Sequence, residues 1–326
     1  MGPGLSRTVF LELTFVSQNE KDEYVISRPQ RISHNFCIMT KYDSQGVPIL
    51  GFDNPAGTIL YPNGLYSYSI GNTKARDISE LLGTSKRQHL NLLLLASGDV
   101  RNIFFTVSEI SLKKTQNCPK SLSFHLNDYD PSVVARNAIL LEVAGSINTS
   151  VSGDIDFLWN IWYNMTLSAA HFLRLRQVIS GLIEKSFDGS EMTVLKFQDS
   201  AVLTECRDIW KDWMTLDPNA KSVKEERNKF MEDEMQAKGS KMKDHCFGVV
   251  SKMCIGLGKE KGGEDVFLPE RIFSSQFYTE VERWFIEGST GDESDKVNPT
   301  LIRPFVHKWK QHYAACPFDG YLPFEK

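Results

Sequence analysis

Leu92-Leu93-Leu94-Leu95-Ala96-Ser97-Gly98-Asp99-Val100-Arg101-Asn102 and Leu122-Ser123-Phe124-His125-Leu126-Asn127-Asp128-Tyr129-Asp130-Pro131 are the two stretches that decide the fold. Each is a short apolar or β-favouring run that ends in a tight polar turn and then opens a helix. Leu92 to Ala96 is apolar without alternation, the pattern of a parallel strand with helices on both faces. Gly98 permits a backbone conformation or a close approach that a side chain would obstruct. Asp99 is placed to cap a helix whose Ile103, Phe104, Val107 and Ile110 recur at amphipathic spacing. Ser121 to Leu126 reads as the second strand. Asp130 then caps a helix with Pro131 at its favoured first position. That helix is expected to bury Val133, Val134, Ala138 and Leu141, with Leu140 beside them. Strand, helix and strand in about 35 residues is the size of a βαβ unit.

Outward from this unit the chain divides into three expected regions. Residues 1–54 are strand- and turn-rich, with Val9 to Val16 partly alternating as a half-buried strand does. Asp53-Asn54-Pro55-Ala56-Gly57 and Pro62-Asn63-Gly64 carry turn chemistry. Residues 55–200 form the α/β core. A helix starts after Gly71-Asn72-Thr73 with Ile78, Leu81 and Leu82 inward. Further helices are expected over Ile155–Tyr163 and Ala169–Ile183, and a strand over Thr193–Phe197. Residues 201–326 are expected to be mostly helical. Ser200–Met214 places Val202, Leu203, Cys206, Ile209 and Trp210 on one stripe. Lys221–Lys243 is charge-dense and reads as a solvated helix, with an arm for a partner as the sharper alternative. Glu287–Pro299 is a polar loop containing Gly288 and Gly291.

Composition narrows the function classes. The chain has 326 residues, 41% hydrophobic and 24% charged, ordinary values for a globular protein. A formal net charge of -4 argues against gripping nucleic acid through its phosphates. No apolar run reaches the roughly 18 residues of a membrane span. No basic segment leads into an apolar stretch near Met1, and the six cysteines lie far apart with no CxxC pair. A cytoplasmic protein with reduced thiols is the expectation. Asn148-Thr149-Ser150 and Asn164-Met165-Thr166 are then chance matches to a glycosylation pattern.

The chemistry to test is nucleoside binding. In class I methyltransferases a glycine-rich turn after the first strand cradles S-adenosylmethionine. An acidic residue at the end of the second strand accepts hydrogen bonds from the ribose hydroxyls, as in dinucleotide folds. The corresponding candidates are Ala96, Ser97, Gly98 and Asp99 in the first turn and Asn127 and Asp128 at the second. One glycine stands where a strong fingerprint has three. The structural alternative is that Gly98 only turns the chain and Asp128 only caps or faces solvent. No residue pattern names a catalytic base. No G-x-S-x-G or H-E-x-x-H occurs, and Gly256-Leu257-Gly258-Lys259 lacks the upstream glycine of a phosphate loop. His245, Cys246, Cys254, His312 and Cys316 match no common zinc spacing. Trp159, Trp162 and Tyr163 share a helical stripe, read first as packing and second as a stacking surface.

Several blocks in order resemble a family of unknown biochemical function, the domain-of-unknown-function 4470 family. They are Tyr61-Pro62-Asn63-Gly64 with Ser69-Ile70-Gly71-Asn72-Thr73, Leu92 to Ile103, Asn127 to Asn137, and Leu158 to Tyr163. That domain occurs in an axonemal dynein assembly factor and in proteins with a MYND zinc finger. The family pattern has glycine where Ala96 stands, and no MYND cysteine cluster is present here. The two strand–turn–helix units, together with the resemblance, lead to the expectation of a Rossmann-like, class I methyltransferase-like open sheet with helices on both faces. The resemblance also implies protein partners of assembly or chaperone type, while the charge and the run lengths above lead to the expectation of no nucleic acid and no membrane. Two functions are therefore expected: a non-catalytic or weakly ligand-binding assembly module, or an S-adenosylmethionine-dependent methyltransferase of unknown substrate.

Overall fold

The computed structural model describes residues 9–18, 23–27, 41–42, 48–49, 70, 75–79, 89–113, 119, 121–128, 130–147, 151–188, 195–197, 199–219, 276–290, 295–305 and 308–309, with single positions between 221 and 247. The described elements make a mixed α/β fold, mostly helical. Strands are β1 (Val9–Gln18), β2 (Glu23–Ser27), β3 (Lys41–Tyr42), β4 (Pro48–Ile49), β5 (His89–Leu95), β6 (Ser121–Asp128), β7 (Thr166–Leu167), β8 (Leu195–Phe197), β9 (Lys296–Val297), β10 (Ile302–Arg303) and β11 (Lys308–Trp309). Helices are α1 (Arg101–Lys113), α2 (Pro131–Ser146), α3 (Ser152–Tyr163), α4 (Ala169–Asp188), α5 (Ser200–Thr215) and α6 (Gln276–Glu287).

β5, α1 and β6 form the expected unit, with β5 and β6 parallel and Leu92 beside Phe124. The strands around them depart from a parallel sheet. β1 runs antiparallel along the other side of β6, and β2 and β8 share the far edge of β1. Among the described strands β5–β6 is the one parallel pair. The remaining ladders join two short strands each. β1 lies in the expected N-terminal region, yet it occupies the centre of the sheet.

β5 corrects the expectation of a strand covered on both faces. Leu90, Leu92 and Leu94 are buried, while Asn91 and Leu93 are half-buried and His89 and Leu95 exposed. Lacking alternation in its sequence, β5 alternates in its burial, because the face of Leu90, Leu92 and Leu94 is covered more fully than the face of Asn91, Leu93 and Leu95. β6 is the strand buried on both faces, apart from half-buried Asn127. Its polar Ser121, Ser123 and His125 are buried with the rest.

α2 is the central helix. Asp130 caps it through an acceptor to the Ser132 N–H, with Pro131 in its first turn, as the sequence predicts. Every residue from Ser132 to Leu141 is buried. One apolar core joins α2 to residues on both sides of position 200: Phe157, Ile161 and Leu182 before it, Trp210, Trp213, Trp284 and Phe285 after it. The α5 stripe is as expected, with Val202, Cys206, Ile209 and Trp210 buried and Leu203 partly so. Within the charge-dense region, Lys221, Glu225, Lys229, Glu232, Asp233 and Gln236 are helical and exposed. The turns at 53–57 and 61–64, Leu81 and Leu82 of the expected helix, and Gly256–Lys259 lie outside the described residues.

Candidate functional site

The two turns that carry the candidate ligand residues meet at the carboxyl edge of β5 and β6. The Ser97 N–H donates to the Asn127 carbonyl at 3.0 Å, extending the parallel ladder by one bond. Ala96 then has φ 49° and Gly98 φ 60°, both in the left-handed region. That conformation costs a residue with a Cβ about 1–2 kcal/mol. It gives a physical reason for glycine where Ala96 stands. Ala96→Gly is therefore expected to stabilise the fold by up to about 1 kcal/mol, the relieved strain outweighing the added unfolded-state entropy. A denaturant midpoint that falls on this substitution would refute it.

Asp128 is where the sequence places it, but its carboxylate faces inward. The residue is 6% exposed. Oδ2 accepts from the Gly98 N–H at 3.1 Å, and Oδ1 accepts from the Asp130 N–H at 3.0 Å. One side chain thus ties the turn after β5 to the turn after β6. Asn137 adds a second tie, its Nδ2 donating to the Gly98 carbonyl at 2.9 Å.

Asp99 is 2% exposed and forms a two-pronged pair with Arg101. Nε lies 2.7 Å from Oδ1 and Nη2 lies 2.8 Å from Oδ2. The Trp162 indole N–H also donates to Oδ2, at 3.3 Å. Asp99 is not the N-cap residue expected. The Val100 carbonyl accepts the first helical bonds, from Ile103 and Phe104, and Asp99 stands one residue earlier. The Arg101 N–H still reaches its Oδ1, at 3.3 Å, so the carboxylate closes the turn. Ser97 Oγ and Asn137 Oδ1 are enclosed here without a hydrogen-bond partner.

The aromatic stripe packs rather than presenting a face. Trp162 and Tyr163 are 3% and 2% exposed, with rings stacked at 5.1 Å. Phe104 meets Trp162 edge-on, and the half-buried Trp159 donates to Thr290 Oγ1. Behind them lies Arg136, 1% exposed, a residue the sequence reading passed over. Its guanidinium donates to the Ile161 and Trp162 carbonyls and to Thr300 Oγ1. Burial pulls its pKa down to about 10, opposed by the nearby Asp99 charge, so it stays protonated at neutral pH. The available signal was Arg136-Asn137 inside an apolar helix, since buried polar groups need partners.

Cys206 and Cys246 are free and buried, and burial pushes both thiols up, Cys246 to about 12. Neither is a thiolate at neutral pH. No group of three or more metal-ligand side chains occurs among the described residues. His245, Cys254, His312 and Cys316 lie outside them. No described helix is long and apolar enough to cross a membrane.

Residues 69–167 match the family model for a domain of unknown function (DUF4470). No curated protein and no solved structure matches the chain.

Proposed function

With residues 69–167 forming a DUF4470 domain, we propose that the protein is a non-catalytic assembly or interaction module, of the kind its resemblance to a dynein assembly factor domain suggests. One observation carries this reading. Asp128, the carboxylate that would hold a ribose, spends one oxygen on the Gly98 N–H and the other on the Asp130 N–H. Each oxygen keeps a second lone pair, but the residue is 6% exposed, and turning the carboxylate out to a ribose diol would strand two backbone N–H groups. Asp99 is likewise held by Arg101 and Trp162. These commitments count against an S-adenosylmethionine site at this edge. A Rossmann-like reading of the sheet draws support from the β5–α1–β6 unit and the left-handed turn at its carboxyl edge. Such a unit serves as a scaffold without its cofactor.

Calorimetry with S-adenosylmethionine and S-adenosylhomocysteine tests the proposal. The expected result is no heat at millimolar ligand with the protein folded. Saturable binding abolished by Asp128→Ala would replace this reading with the methyltransferase alternative. Asp128→Ala is instead expected to act on the fold, lowering unfolding free energy by about 2–4 kcal/mol through two stranded backbone donors. Chemical denaturation reads that loss. An unchanged midpoint would show that Asp128 is not the tie between the two turns.

A further inference from the structure

α2 and α4 leave between them a groove of about 350 Å³, the size of a small-ligand site. Glu142 of α2 lines it, with Arg174, Gln177, Gly181 and Lys185 of α4. Glu142 Oε1 takes the Lys185 ammonium, while Oε2 is enclosed without a hydrogen-bond partner. An enclosed acceptor ordinarily meets a donor. Arg174 donates from Nη2 to Asp154 Oδ1 at 2.7 Å and lies 4.3 Å over the Phe157 ring. Those contacts hold the guanidinium in place and leave other N–H donors of its fork for an occupant. Gly181 sits in the interior of α4, where glycine costs about 1 kcal/mol relative to alanine. A Cβ there would meet nothing within 4 Å, so close packing does not require the glycine. Its effect is to keep the groove open beside Val178 and Leu182, which line it too.

We propose that this groove binds a short peptide with free ends. Its ammonium donates to Glu142 Oε2, its carboxylate accepts from Arg174, and its central side chain lies along Val178, Gly181 and Leu182. Charge-assisted bonds at the two ends fix the direction of the peptide. The exposed Gln177 supplies an amide, donor and acceptor together, for the main chain between them. Length selects the ligand. Lys185, which marks the Glu142 end, stands three turns beyond Arg174 on α4, about 16 Å of helix. The charges of a single amino acid lie too close together to reach both ends. An extended tripeptide is about 10 Å long. A hydrogen bond of about 3 Å at each end completes the span.

Calorimetry on the full chain with trileucine tests the site. The expected result is saturable binding below millimolar concentration. N-acetyl-trileucine, trileucine amide and free leucine each lose one end contact and are expected to bind at least about tenfold more weakly. Glu142→Gln is expected to weaken trileucine about tenfold and to leave the affinity for N-acetyl-trileucine unchanged, because only the ammonium needs the carboxylate charge. Gly181→Leu is expected to abolish binding with no loss of thermal stability, since leucine favours the helix and grows into open space. No saturable binding of millimolar trileucine to the folded protein overturns the proposal. So does equal affinity for the acetylated peptide, or trileucine binding that survives Gly181→Leu. These readouts are independent of the cofactor titration, so either can fail alone.

Discussion

A fragment ending at residue 200 is expected not to fold. The α/β core read from the sequence ends there, but its apolar interior does not. Trp210, Trp213, Trp284 and Phe285 are each at most 1% exposed and belong to the same core as Phe124, Ile139 and Phe157. Two of the tryptophans also satisfy backbone in the first half. Trp210 Nε1 donates to the Ala135 carbonyl and Trp284 Nε1 to the Tyr163 carbonyl, each at 3.0 Å. Emptying one such aromatic site costs about 3–5 kcal/mol. Removing four, about 12–20 kcal/mol if additive, matches or exceeds the roughly 5–15 kcal/mol that holds a domain together. Near-ultraviolet circular dichroism and amide NMR dispersion are the measurements. A cooperative melt from the fragment would show that residues 1–200 are autonomous. Extending the fragment through residue 303 is expected to restore folding, because that length includes α5, α6 and the turn at Asn298.

Arg136→Ala is expected to cost about 3–5 kcal/mol, a large part of the total stability. The guanidinium joins three segments that are remote in sequence: α2, the end of α3 and the turn at Thr300. Truncation leaves the buried Trp162 carbonyl short of a donor, leaves the Ile161 carbonyl to Asn298 Nδ2 alone, and removes the charge facing Asp99. Arg136→Lys is not expected to restore stability, since an ammonium cannot spread donors as a planar fork does. Urea denaturation compares the two variants. A loss below about 1 kcal/mol for alanine would mean that water replaces the guanidinium.

The truncation and the substitution both act on contacts that the sequence concealed to different degrees. The expected strand–turn–helix units were legible because their signals are local. Asp130 caps Ser132 two residues away, Pro131 presets the first turn, and Ile103 and Ile110 repeat at helical spacing. The parallel pairing of β5 and β6 followed from those units. The exposure of one β5 face did not. An uninterrupted leucine run has the same sequence whether one face of its strand is covered or both, and the burial of Leu90, Leu92 and Leu94 against the partial exposure of Asn91 and Leu93 is set by what packs on each face. The candidate site was legible as positions, but the donors that its carboxylates meet were not. Ala96 to Asp99, Asn127 and Asp128 do meet at one sheet edge. A carboxylate, however, accepts equally from a ribose hydroxyl or a backbone N–H, and residue type cannot show which donor it meets.

By itself, then, the sequence determined the features whose partners lie within a few residues: the caps, the turns, the amphipathic stripes and the β5–α1–β6 order. Only the tertiary structure decided that Asp128 would meet the Gly98 N–H, 30 residues away, and that Asn298 would donate to the carbonyls of Ile161 and Asn164. It also put Trp284 under Tyr163 and gave β1 the central position in the sheet. The physical reason is one of range. Dihedral preference and helix capping are properties of a short segment. Hydrogen-bonding capacity and apolar area are also fixed by residue type, but which remote group satisfies them depends on the path of the whole chain.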